Sequence, residues 1–281
     1  MPHWSIARSA AAAEWRSADA RGECLPEPSS SRKAMKMTPA ALAATLSRPR
    51  KLLADPPGPE MLDLAGEKIA VHTQGRPDAL VRALLVHGWE TDYRDFTQIA
   101  EAFARDGVYC VAPDLPAHGK SSGASMTIPE GARALQAVHE AYGPFELAVG
   151  YSMGAAVLLY ALSKGLPAKK IALIAPPGNY VRELSKAARA AGLPEALIAP
   201  ALQEFRRRCP DLDEIDCGTM ALSLSCTGII AVAGNDRIAD PEEGRRVAGY
   251  WRGSRLLECE HASRLSIMYD ARLIKAIAGL L

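Results

Sequence analysis

Short, almost wholly apolar runs recur along the second two-thirds of the chain, each followed by an amphipathic stretch. KIAVHT at 68–73, RALLVHG at 82–88, VYCVA at 108–112, the run from Phe145 to Val149, KKIALIA at 169–175, TGIIAVAG at 227–234 and SRLLEC at 254–259 are too short and too β-rich for helices. They read as buried strands. Between them, Tyr93 to Asp106 places Phe96, Ile99, Ala100, Phe103 and Ala104 on one face and ends at Gly107, the signature of an amphipathic helix with a glycine stop. Further helices are predicted over Ile128 to Tyr142, immediately after Ser152, over 241 to 251, and from Ser266 onward. This alternation predicts an α/β protein with a doubly wound, mostly parallel sheet covered on both faces.

Two regions break the rhythm. Some fifty residues separate KKIALIA from TGIIAVAG, including ELSKAARAAG and LIAPALQEFRRR, whereas a return crossover needs only a dozen or so. The excess, about 177 to 225, predicts a helical cap insertion. Residues 1 to 60 are rich in Ala, Ser, Arg and Pro and poor in large apolar side chains, which predicts a low-complexity, disordered or loosely docked extension preceding a domain from 61 to 281. Within it, a short helix starting at Thr38-Pro39 is expected, and residues 1 to 34 are expected to be dispensable, with Met35 or Met37 as alternative starts and a transit peptide as a weaker reading.

Composition narrows the class. A net charge of +1 with dispersed basic residues lacks the electrostatic footprint of a nucleic-acid binder. No apolar stretch approaches a membrane span, and no compact signal core opens the chain. The six cysteines have no metal-ligand or disulfide spacing; buried reduced thiols and a cytoplasmic location are expected. Neither a metal nor an organic cofactor is implied.

Candidate chemistry gathers at strand ends, where open α/β sheets hold their reactive groups. Gly150-Tyr151-Ser152-Met153-Gly154 joins a strand to a small-residue helix, the context in which a sharply turned serine is a nucleophile. A serine needs a base. Of the six histidines only His261 follows the last strand, and Asp236 lies two residues beyond IIAVAG, placed to orient an imidazole. Asp240 is a competing carboxylate in the same loop, and Asp114, His87 and His118 read as loop-organising groups.

The order Ser152, Asp236, His261, with the HGW turn at 87–89, the DLPAHGKS loop and the strand-GND segment, resembles the α/β-hydrolase superfamily over roughly residues 66 to 281, specifically its cap-bearing, esterase-like bacterial members. One position departs: relatives have glycine before the histidine, and this chain has Glu260. The resemblance implies a serine hydrolase that cleaves a small or medium carboxylic ester through an acyl-enzyme on Ser152. The backbone N–H groups of Trp89 and Met153 would form the oxyanion hole. Acyl transfer, thioester hydrolysis, haloperoxidase-like chemistry and C–C bond hydrolysis use the same triad, and a catalytically silent ligand-binding form is the remaining alternative. The expected partner is a small-molecule ester, with no nucleic acid or membrane, in a monomer or homodimer. The Arg206 to Arg208 run in the cap reads as a solvated face.

Overall fold

The computed structural model describes residues 38–49 and 58–281. Most of the extension, including residues 1 to 34 and the alternative starts, lies outside the described residues. Eight strands form one sheet in the order β1-β2-β4-β3-β5-β6-β7-β8. They are β1 (Glu60–Leu64), β2 (Glu67–Gln74), β3 (Arg82–Val86), β4 (Tyr109–Pro113), β5 (Leu147–Tyr151), β6 (Lys170–Ile174), β7 (Thr227–Ala233) and β8 (Ser254–Cys259). β2 runs antiparallel to both β1 and β4, and the other pairings are parallel.

The strand that carries His72 does not end the sheet. Instead β1, hidden in the mixed pattern EMLDL, pairs outside β2 through a two-residue turn in which Ala65 and Gly66 both have positive φ. β2 is therefore internal, and His72 is buried.

Side-chain alternation explains why the strand runs are apolar at every position. In β3, Leu84 and Val86 join one core with Ala148, Leu173 and Ile230, while Ala83 and Leu85 join the other with Val149, Ile174 and Ala231. Both faces are covered, so both parities must be apolar.

The helices are α1 (Pro39–Leu46), α2 (Thr97–Arg105), α3 (Ile128–Tyr142), α4 (Met153–Ser163), α5 (Tyr180–Ala190), α6 (Glu195–Arg208), α7 (Cys217–Ala221), α8 (Pro241–Tyr250) and α9 (Ala271–Ala278). The single helix expected over 93–106 begins as a 3-10 turn, Tyr93–Phe96, capped by the Asp92 carboxylate. The last helix is likewise split: Ser266–Tyr269 is a 3-10 turn, and Asp270 restarts the chain as the N-cap of α9.

The Arg272 guanidinium, at 2.8 Å, and the backbone N–H of Arg272 hold the Asp270 carboxyl down to about 2. Because the folded value lies below the unfolded one, the associated stability is complete above about pH 4. It is lost as pH falls towards the folded value. Asp270→Asn is expected to cost about 1–2 kcal/mol at pH 7. Urea melts of both proteins should show that gap narrowing as pH drops below about 4.

Between β6 and β7 the chain forms α5, α6 and α7. Asn179 and Asp216 cap α5 and α7. Arg246 of α8 forks onto the two oxygens of Asp216, at 3.0 and 2.7 Å, and reaches Glu243 at 2.8 Å, while Arg182 of α5 takes the other Glu243 oxygen at 2.6 Å. This network ties the inserted helices to the sheet layer. On the far side α1 packs on α6, and Arg208 donates to the buried Ser47 at 3.0 Å and to Ser125 at 2.9 Å. The helical part of the extension is thus docked. Two of the cap arginines are occupied by near neighbours, Arg206 by Asp213 and Arg207 by Glu204.

Candidate active site

Ser152 stands between β5 and α4 with φ 55° and ψ −121°, a conformation costly for any residue bearing a Cβ. Several close approaches hold it there. Its N–H donates to the Ile174 carbonyl of β6 at 2.8 Å, and its own carbonyl accepts from Ala155 at 2.9 Å. A Cβ on Gly154 would lie 2.3 Å from the carbonyl oxygens of both Val86 and His87, and one on Gly150 would lie 2.7 Å from Ala155 Cα. The two flanking glycines let α4 start directly against the ends of β3 and β5.

The HGW turn is fixed from below. His87 Nε2 accepts from the Leu115 N–H at 2.8 Å, so Nδ1 carries the proton and donates to the Gly88 carbonyl at 2.8 Å. The loop supplying Leu115 is organised around Asp114, which accepts from Tyr93 N–H (3.1 Å), Lys120 N–H (2.9 Å) and His72 Nε2 (3.0 Å). Burial pushes the Asp114 carboxyl up, but the His72 hydrogen bond, the nearby imidazoles and the Lys120 N–H outweigh it, leaving the group below its ordinary value. His118 meets the Trp89 ring edge-on. This framework brings Trp89 beside Ser152 and Met153 on the wall of one pocket.

Of the two competing carboxylates, Asp240 caps α8 by accepting from Glu242 N–H at 3.0 Å. Asp236 points inward: its side chain is 1 % exposed, with Oδ1 accepting from Ile238 N–H (2.8 Å) and Ala239 N–H (3.0 Å). Its Oδ2 faces the site without a hydrogen bond.

His261 is not between Ser152 and Asp236. β8 closes in a tight turn, with Ala262 N–H on the Cys259 carbonyl at 2.9 Å, and the turn carries His261 outward to an exposed position. The chain then passes the end of β7, where Asn235 N–H donates to the Ala262 carbonyl at 2.9 Å. It brings Arg264 into the centre. There Nη2 donates to Ser152 Oγ, and Nη1 lies 3.7 Å from Asp236 Oδ2. Tyr151 fixes the arginine twice, donating from its hydroxyl to the Arg264 carbonyl at 2.9 Å and presenting its ring 5.7 Å from Cζ.

Arg264 was missed by the sequence argument, which took the first histidine after the last strand as the base. The available signal was Glu260: a side chain where relatives have glycine marks a turn of different path. Close packing sets that path, since a Cβ on Gly234 would sit 2.3 Å from the Glu260 carbonyl oxygen.

The pocket above Ser152 has a volume of about 280 Å³. Leu46 of α1, Ile128, Ala156, Leu184 and Ile238 give it apolar walls, and Arg264, Glu90 and Glu183 are its charged members.

Comparison with known proteins agrees with this architecture. The model of the alpha/beta hydrolase family matches residues 83–223, and the chain belongs to that family. Its fold is similar to that of an esterase from Pyrococcus furiosus, with 17% identity, a TM-score of 0.66, and coverage of 84% of this chain and 97% of the other. An esterase from Exiguobacterium antarcticum is 16% identical with a TM-score of 0.61, covering 79% of this chain and 98% of that one. The thioesterase domain of the curacin biosynthetic pathway is 18% identical with a TM-score of 0.60, covering 78% and 98%. No curated protein gave a significant match. Among the described residues, no helix is long and apolar enough to cross a membrane.

Proposed function

We propose that this protein is an acyl-binding member of the alpha/beta hydrolase family whose serine is held without a base. The observation that carries this reading is the hydrogen bond from Arg264 to Ser152 Oγ, in the place where a general base would stand. A guanidinium has only donors and stays protonated in proteins. It can fix the hydroxyl but cannot take its proton. The Ser152 elbow, the Trp89 turn and the apolar pocket suit an acyl compound, with its carbonyl oxygen received by the N–H groups of Trp89 and Met153.

A second reading keeps the serine esterase implied by the resemblance, with Ser152, Asp236 and His261 as the triad. It is favoured by the strained Ser152 backbone and the inward-facing, incompletely bonded Asp236 oxygen, both costly features in a plain binding pocket. That reading requires Arg264 to withdraw and His261 to enter.

Labelling by a fluorophosphonate and turnover of p-nitrophenyl esters separate the two. For the silent reading, the wild type should hydrolyse at the rate of Ser152→Ala, and His261→Ala should change nothing. Turnover lost in both Ser152→Ala and His261→Ala would establish the esterase instead.

A further inference from the structure

The guanidinium of Arg264 is short of partners. It lines the pocket, its side chain is 19 % exposed, and among the described residues its one hydrogen bond is the donation from Nη2 to Ser152 Oγ. Nη1 is buried and has no hydrogen-bond partner. Nη1 is enclosed beside Asp236, and the exposed remainder of the side chain is what a ligand acceptor in the pocket would meet. Ser152 Oγ accepts from Nη2 and so keeps its own hydroxyl proton for donation, and Trp89 and Met153 line the same pocket. Donors on Arg264 and Ser152 side by side fit the two acceptor oxygens of a carboxylate, and a hydrogen bond from a guanidinium to such a group is a strong one.

The surrounding charge limits the ligand further. Asp236, 3.7 Å behind Nη1, already answers part of the arginine charge. Glu90 and Glu183 stand on the pocket wall, Glu183 in an ion pair with Lys186 at 2.9 Å. A dianion would bring a second charge towards these carboxylates, and Arg264 is the one cation on the wall among the described residues, so a single carboxylate is the most the site can take. Size gives the last constraint. An apolar cavity of ~150 Å³ holds benzene, so the 280 Å³ here admits a ligand of roughly ten to twelve non-hydrogen atoms.

From these observations we infer that the pocket is a receptor site for a monocarboxylic acid with an apolar tail of about eight carbons, its carboxylate on Arg264 and Ser152 and its tail against Leu46, Ile128, Leu184 and Ile238. The inference rests on the silent reading of the site, since it assigns Arg264 a ligand-binding role.

The test is titration of the full chain with octanoate, methyl octanoate and the eight-carbon dicarboxylate suberate, followed by calorimetry and by NMR. Octanoate should bind at least roughly ten-fold more tightly than its methyl ester or suberate. Arg264→Gln should abolish that preference while leaving methyl octanoate affinity within about two-fold. Equal binding of octanoate and its methyl ester by the wild type, or an unchanged octanoate affinity in Arg264→Gln, would overturn the assignment. NMR reports separately on the underlying reading. Release of methanol from methyl octanoate, dependent on His261, would reject the silent site whatever the relative affinities.

Discussion

Arg264→His is expected to switch on ester hydrolysis. The substitution puts an imidazole on the residue whose side chain now spans Ser152 Oγ and Asp236 Oδ2, the two groups that a catalytic histidine must join. Asp236 is prepared for this role. Its Oδ1 is anchored by two backbone N–H groups, its Oδ2 is buried and free of hydrogen bonds, and the site needs no new acid. A positioned general base contributes about 10²–10⁴-fold. Hydrolysis of p-nitrophenyl butyrate should therefore rise at least roughly 100-fold over wild type, and it should increase with pH through about 6–7 as the imidazole becomes neutral. Adding His261→Ala to this variant should leave the gain intact. A variant that folds as wild type, binds octanoate weakly and still fails to turn over the ester would show that the shorter imidazole does not bridge the two groups.

Gly154→Ala is the second large effect, acting on the fold and the site together. Its methyl carbon would lie 2.3 Å from the Val86 and His87 carbonyl oxygens, and these are backbone atoms at the end of a fully buried central strand. No side-chain rotation relieves the clash, so α4 must move away from β3 or the strand end must shift. We expect a loss of about 3 kcal/mol or more in urea denaturation. Retention of stability within about 1 kcal/mol would show that α4 slides without cost. The site should suffer as well, because the same shift separates Met153 from Trp89.

The inner strands were legible because burial on both faces forces nearly every position to be apolar, and such runs stand out from their polar flanks. The outer strand β8 was found despite exposed Arg255, Leu256 and Glu258. β1 escaped that logic. As an outer strand with Glu60, Met61 and Asp63 exposed, it carries no continuous apolar run. The serine was legible for a related reason: Gly150 and Gly154 are demanded by contacts with backbone atoms, so the motif records local geometry. Asp236 was preferred to Asp240 from its distance to the strand end, since a helix cap and an orienting carboxylate look alike until their partners are seen. The choice of His261 as base could not anticipate Arg264 beside Ser152, because the two are only three residues apart on an irregular loop. Which of them turns inward depends on the Cys259–Ala262 turn and on its packing against Gly234, and neither produces a periodic pattern.

Leu46 places the ligand wall in a different light. The family-matched segment, 83–223, contains Ser152, Trp89, Met153 and the cap, yet stops before Asp236, Ile238 and Arg264 and begins after Leu46. The match thus takes in the elbow and most of the pocket wall, Glu90, Ile128, Glu183 and Leu184 included, whereas Leu46, Ile238 and Arg264 come from its two flanks. A chimera exchanging 83–223 between this protein and a relative would carry the nucleophile and most of the pocket wall across, while Leu46, Ile238 and Arg264 stayed with the recipient. Leu46 and Arg264 are therefore positions at which charge and shape around the serine can change while the matched segment stays as it is.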